Sequence, residues 1–349
     1  MSSKLKNYYG VIRKLAEDMS NKSVSRQVFE LVIFYLRSQL GPGFYLKAQL
    51  YRSSVPFRDV LGFLSLKQYE KYVFFLNDRL YHRCSQNKAI EKAILTTYGL
   101  PTPELLGHFH KTYGVSVEGA SLRTQESLAI LIEKHEGSRL CFKYTEGWGG
   151  NGFRAIESLT GRMIKDLVNK RIMTFDDFFS SLSDPLQQGV VIERYLTQHP
   201  DFEKYNASSV NTCRIGVMRD KSGHVNCIYT YLRVGRDGSL VDNSTSGGVT
   251  FPIDKDTGIV QSGFTKYLRG EFYDYHPDSG VEIAGTVLPM FDEAVNLAKA
   301  ALSVFPRLNF AGTDIAFSEY GPVVIEINIQ PDYNDFADTS IPSRKALQS

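Results

Sequence analysis

Gly312-Thr313-Asp314-Ile315-Ala316-Phe317 and, after a short interruption, Val323-Val324-Ile325-Glu326-Ile327-Asn328 are the runs that decide the fold. Apolar residues alternate with Asp314 in the first run and with Glu326 and Asn328 in the second, the two-residue period of a half-buried strand. Glu326 and Asn328 are two apart and therefore face the same way. The intervening Glu319-Tyr320-Gly321-Pro322 can reverse the chain and set Asp314 beside them. Two carboxylates and one amide oxygen on one face suit a hard cation such as Mg²⁺ that holds phosphates. A hairpin with polar residues on its wet face accounts for the same pattern when it stands alone.

Working outward, the next informative stretch is Lys143-Tyr144-Thr145-Glu146-Gly147-Trp148-Gly149-Gly150-Asn151-Gly152-Phe153. The runs 140–144 and 153–156 read as two strands, and a lysine ends the first. Four glycines then permit a tight turn whose backbone N–H groups can approach phosphate oxygens. The terminal Gly-Lys-Ser/Thr of a Walker A loop is absent, and so is the dinucleotide-binding glycine fingerprint. A plain glycine-rich hairpin is the competing reading. Elsewhere, Thr124 and Thr174 are placed to cap helices, 190–196 reads as a strand, and 211–234 is strand-rich around an Asp220–Gly223 turn.

In order and spacing these elements resemble the ATP-grasp superfamily, and most of all its sugar-transfer-associated branch, which is similar to glutamate-ligase-like members. The resemblance covers roughly residues 86–335. It implies an α+β, two-lobed fold that clasps ATP, here with a mostly helical N-terminal extension over 1–85. The first lobe with its glycine-rich loop would be 86–189, the second with the metal hairpin 190–335, and 336–349 a tail. Relatives often begin with an α/β domain, so the helical extension sets this chain apart.

The resemblance also implies site residues. Lys143 contacts the α-phosphate and adenine region, and Gly149, Gly150, Asn151 and Gly152 fold over the phosphates. Glu193-Arg194-Tyr195-Leu196 forms the hinge that binds adenine through its backbone. Lys88 matches an early nucleotide-contacting lysine, with a solvated helix lysine as the alternative. Glu193 reaches the adenine amino group or ribose, and His199 of His199-Pro200 the ribose; a strand-edge acid and a simple turn are the rival readings. Asn211 of Asn211-Thr212-Cys213-Arg214 orients phosphate or metal-bound water, or serves a strand edge. Arg214 and Arg233 hold a phosphoryl group or a carboxylate in a planar fork, or else sit in structural ion pairs. Arg233, Asn243 and Gly247-Gly248 face the acceptor, and Asp314, Glu326 and Asn328 hold Mg²⁺.

The remaining composition bounds the function. A net charge of +2 in 349 residues gives no sign of a nucleic-acid binder, although residues 1–82 carry 13 Lys and Arg against 6 Asp and Glu. No segment has the apolar length of a membrane span, and the start of the chain lacks a secretory pattern. The four cysteines have neither metal-knuckle nor disulfide spacing, which points to a reducing cytoplasm. The implied chemistry is ATP-dependent carboxylate–amine ligation through an acylphosphate, with ATP and Mg²⁺ as cofactors and small-molecule or sugar-linked carboxylates and amines as substrates. A homo-oligomer is compatible with this reading. Phosphoryl transfer to a hydroxyl, or nucleotide binding without catalysis, would use the same residues.

Overall fold

The computed structural model describes residues 3–147, 152–182, 188–265 and 272–348. Among them the strands form two antiparallel sheets. The first contains β1 (Leu105–Phe109), β2 (Val115–Ser116), β3 (Arg139–Tyr144), β4 (Arg154–Leu159), β5 (Met163–Asp166), β6 (Ile172–Thr174) and β7 (Val190–Arg194), in the order β2-β1-β7-β3-β4-β5-β6. The helices Gln125–Lys134 and Phe175–Ser181 pack their apolar side on it, with Leu128, Ile132 and Phe178 against Leu140, Phe142 and Ile192. Thr124 and Thr174 cap these helices by accepting from the N–H groups of Ser127 and Asp177.

The second sheet contains β8 (Thr212–Arg219), β9 (Val225–Val234), β10 (Val249–Ile253), β11 (Phe310–Ser318) and β12 (Gly321–Asn328), in the order β10-β9-β8-β11-β12. Alternation gives it two buried faces. Cys213, Ile215, Leu232 and Ile315 point to one side, where Ala294, Ala298 and Leu302 of the Phe291–Ser303 helix close the core. Tyr229, Tyr231 and Phe310 point to the other, where they meet Phe34, Tyr45, Phe63 and Tyr69 from the N-terminal region. That region contains the helices Ser3–Leu15, Val24–Ser38, Pro42–Lys47 and Leu66–Leu76.

The C-terminal end departs from the expected tail. Helices Asn334–Asp338 and Ser343–Gln348 fold back onto the N-terminal layer. Asp335 accepts hydrogen bonds from both the Tyr229 and Tyr231 hydroxyls at 2.9 Å. Leu64 N–H donates to Ser343 Oγ at 3.0 Å, Arg344 N–H donates to Gly62 C=O at 2.8 Å, and Leu347 is buried. Few apolar residues occur in this segment, so its partners, nearly 300 residues away, leave no local trace. No helix of the described residues is long and apolar enough to cross a membrane.

Candidate active site

The two sheets meet at a cleft. From the first sheet come Cys141, Lys143, Glu193, Tyr195 and Leu196; from the second come Thr212, Arg233, Asp314 and Glu326, with Asp242 and Asn243 from the loop after β9. Register explains the first group. Cys141 lies directly opposite Glu193, and Lys143, two residues on, shares their face. Lys143 Nζ reaches Glu193 Oε2 at 2.6 Å, and Lys92 Nζ lies 3.9 Å from Oε1. Burial alone would raise the Glu193 carboxyl, but the two lysines outweigh it and hold the group below the usual range. Burial opposes the charge on Lys143, yet Glu193 keeps its pKa raised; the buried Cys141 thiol is pushed up to about 12.

Past the end of β7, Leu196 N–H and Tyr195 C=O have no hydrogen-bond partner among the described residues. Arg194 presents backbone only, because its guanidinium turns away to Glu104 at 2.6 Å and Ser138 at 3.0 Å. A free backbone edge beside the buried Glu193 Oε1, which has no hydrogen bond, fits a flat heterocycle with donors and acceptors, as adenine requires.

The second sheet supplies a row of charge. Arg214, Asp314 and Glu326 are cross-strand neighbours on β8, β11 and β12. Arg214 Nε lies 2.7 Å from Asp314 Oδ1, and Arg233 Nη2 lies 2.9 Å from Oδ2. Arg233 also donates to Thr212 Oγ1 at 2.8 Å and lies 3.4 Å from Asp242. Burial disfavours both guanidinium charges, and the neighbouring carboxylates more than restore them. A Cβ at Gly312 would lie 2.7 Å from Arg214 Nη1, so a larger residue there would push that guanidinium aside. Lys88 Nζ bridges the lobes, donating to Glu326 Oε1 at 3.0 Å and to Gly147 C=O at 2.7 Å.

The donor chemistry needed for Mg²⁺ is present in part. Glu326 is partly exposed and the Asn328 amide nitrogen is buried without a partner. Asp314 differs from expectation, since both of its oxygens face arginines. No three His, Cys, Asp or Glu side chains gather as a metal site among the described residues. Of the three, Glu326 alone keeps a carboxylate oxygen without a partner among the described residues; Asp314 is engaged by Arg214 and Arg233, and the unpartnered atom of Asn328 is its amide nitrogen, a donor rather than a metal ligand.

Two expected contacts lie elsewhere. His199 caps the Pro200–Glu203 helix by accepting from Asp201 N–H at 3.1 Å. Asn211 spends its amide on the Phe202 and Asn206 carbonyls at 2.9 and 3.1 Å. Neither lines the cleft; His199 Nδ1 and the Asn211 amide nitrogen already serve the local backbone. Arg214 stands behind Asp314 rather than on the wall. Asn243 lines the cleft and makes no cap hydrogen bond. Trp148, Gly149, Gly150 and Asn151 lie outside the described residues. Gly152 has φ +71°, and a Cβ there would lie 2.2 Å from the Tyr144 ring.

The sequence reading assigned no role to Lys92, Thr212 or Asp242. Lys92 follows Lys88 by four residues, which puts both on one side of the Lys88–Thr97 helix, and that spacing was the available signal.

A family model described as sugar-transfer associated ATP-grasp matches residues 67–342. The chain belongs to this family. The resemblance read from the motifs is thereby borne out, and the match begins before the expected boundary, within the N-terminal helices. This ATP-grasp chain is also similar to solved structures. They include a biotin carboxylase–βγ-ATP complex from Campylobacter jejuni (11% identity, TM-score 0.46, 76% of this chain and 46% of that one). A D-alanine–D-alanine ligase from Bacillus anthracis complexed with ATP is 14% identical (TM-score 0.38, 71% and 55%). An N5-carboxyaminoimidazole synthetase from Staphylococcus aureus complexed with ADP is 12% identical (TM-score 0.40, 71% and 45%). The chain spans about half the length of these structures. No curated protein matches it.

Proposed function

We propose that this ATP-grasp chain is a carboxylate–amine ligase of a reducing cytoplasm, acting on a sugar- or polysaccharide-related acid. The observation that supports nucleotide chemistry is the convergence of Lys88, Lys143 and Arg233 with Glu193, Asp314 and Glu326 on one cleft, from two sheets and the Lys88–Thr97 helix. The family's sugar-transfer description supports the substrate class, and four free cysteines support the compartment.

In this reading the Tyr195–Leu196 backbone and Glu193 hold adenine, and Lys143 and Lys88 neutralise phosphate oxygens. Glu326 and Asn328, with Asp314, would hold Mg²⁺, which supplies charge neutralisation at the phosphates. An oxygen of the substrate carboxylate attacks the γ-phosphorus, and the bond to the β-phosphate oxygen breaks to release ADP. The amine then attacks the acyl carbon, loses a proton, and phosphate leaves. No protein nucleophile is needed. Asn243 lies beside Asp242 and Arg233 on the cleft wall and orients the acceptor through its uncommitted amide.

The test is a screen of acids and amines that follows ADP and free phosphate together. A ligase releases both only when acid and amine are present. A kinase leaves the phosphoryl group on a single acceptor, and a nucleotide-binding scaffold releases neither product. Asn243→Ala is expected to raise the acceptor KM about tenfold while leaving ATP affinity unchanged. Equal KM values in the two proteins would remove Asn243 from the acceptor side.

A further inference from the structure

The Val24–Ser38 helix is turned inside out. Its buried side carries Gln27, Glu30 and Ser38 along with Phe34, whereas Val28, Phe29, Val32, Tyr35 and Leu36 face solvent. Phe29, Tyr35 and Leu36 are 59%, 58% and 72% exposed. Polar contacts lock this orientation. Glu30 accepts from Lys22 Nζ at 2.7 Å, Arg26 Nε at 3.1 Å and the Tyr45 hydroxyl at 3.0 Å, and Gln27 Nε2 donates to Lys22 C=O at 2.6 Å. Rolling the helix to hide its apolar stripe would strand a buried charge network, so the exposure belongs to the fold.

The stripe continues into a groove against the Ser3–Leu15 helix, lined by Tyr9, Ile12 and Leu40. A contiguous apolar surface of this kind marks an interaction site, and charge selects the partner. Residues 1–40 contain seven Lys and Arg against three Asp and Glu. One of those acids, Glu30, is buried and already paired. Arg13, Lys14 and Arg37 are exposed and have no ion pair among the described residues. A second copy would bring like charges together, whereas an anionic surface is complementary. Arg37 shares the Val24–Ser38 helix with the stripe, and Arg13 and Lys14 end the neighbouring Ser3–Leu15 helix; aromatic and aliphatic side chains beside basic residues are what enters the boundary between headgroups and acyl chains.

We propose that this N-terminal face docks the protein reversibly on an anionic lipid bilayer. Phe29, Tyr35 and Leu36 enter the headgroup region, and Arg13, Lys14 and Arg37 meet acidic headgroups. The test floats the full chain with vesicles of equal parts phosphatidylcholine and phosphatidylglycerol, and with phosphatidylcholine alone. The expected result is flotation with the anionic vesicles, about tenfold less with the neutral ones, and release at high salt. Phe29→Glu with Leu36→Glu should abolish flotation while ATP binding is retained. Should that variant misfold, Arg13→Glu with Lys14→Glu and Arg37→Glu, all at exposed positions, tests the electrostatic half. Absence of flotation, or equal flotation of a folded variant, overturns the proposal. A concentration-dependent dimer in sedimentation that the same substitutions dissolve would instead assign the face to a second copy.

Discussion

Glu193 is fully buried between Lys143 and Lys92, so Lys143 has a structural task besides any contact with phosphate. Removing one partner of a buried pair costs about 3–5 kcal/mol when nothing else compensates. Lys92 still faces the carboxylate in Lys143→Ala, so a loss of about 2 kcal/mol is expected there, together with weaker ATP binding. Lys143→Met combined with Glu193→Gln should recover most of the stability in thermal unfolding while calorimetry still shows weak ATP binding. Unchanged ATP affinity in both proteins would confine Lys143 to the structural task. Lys143 was legible because it ends a strand before a glycine run. Lys92 was not, because a lysine in an amphipathic helix ordinarily reads as solvated. His199 and Asn211 show the converse: their place in a motif does not say whether a polar atom faces the cleft or the local backbone.

The Lys88–Thr97 helix joins the two lobes through one face. Lys88 meets Glu326 and Gly147 C=O, Glu91 accepts the Ile327 N–H at 3.0 Å, and Lys92 donates to Ile325 C=O at 2.8 Å while facing Glu193. The helix therefore sets where Glu326 stands relative to Lys143. Burial pushes the Glu91 carboxyl from an ordinary 4.5 up to about 8, with Lys92 pulling the other way. A carboxyl raised on folding keeps its proton in the native state after the unfolded chain has lost it. Its stabilising contribution is complete below about pH 4.5 and is lost as the pH climbs to about 8. Glu91→Gln should flatten the fall in stability over that window, as measured by denaturant unfolding at a series of pH values. An undiminished slope would mean that Glu91 is ionised in the fold. The hairpin of β11 and β12 was readable from its period and turn, and so were β3, β4 and β7 of the first sheet. The clamp was not, since it depends on which face of a helix meets a strand more than 200 residues later.

At the scale of the whole molecule, the N-terminal helices and the last two helices close one face of the second sheet together. Deleting residues 343–349 removes the buried Leu347 and the Ser343 hydroxyl that accepts from Leu64 N–H. Burial of one leucine is worth about 2 kcal/mol, so the truncated protein should unfold several degrees lower. An unchanged midpoint in calorimetry would make the contact dispensable. The closure was not legible in the sequence, because neither end carries a pattern that names the other, and the strand Val190–Arg194, expected to open the second lobe, pairs within the first sheet.

The core that joins Phe34, Tyr45 and Phe63 to Phe310, Phe336 and Leu347 has a consequence for synthesis. The helices of residues 24–76 have apolar partners more than 200 residues later in the chain, and β8 must wait for β11 before the middle of its sheet is complete. Loop closure across such distances is slow, and unfinished apolar surface invites association. Ribosome-bound chains arrested before Phe310 should therefore be cleaved readily within residues 24–76, whereas the released full-length protein resists. Until Phe310 and the residues after it are made, the helices of residues 24–76 keep part of their apolar surface uncovered.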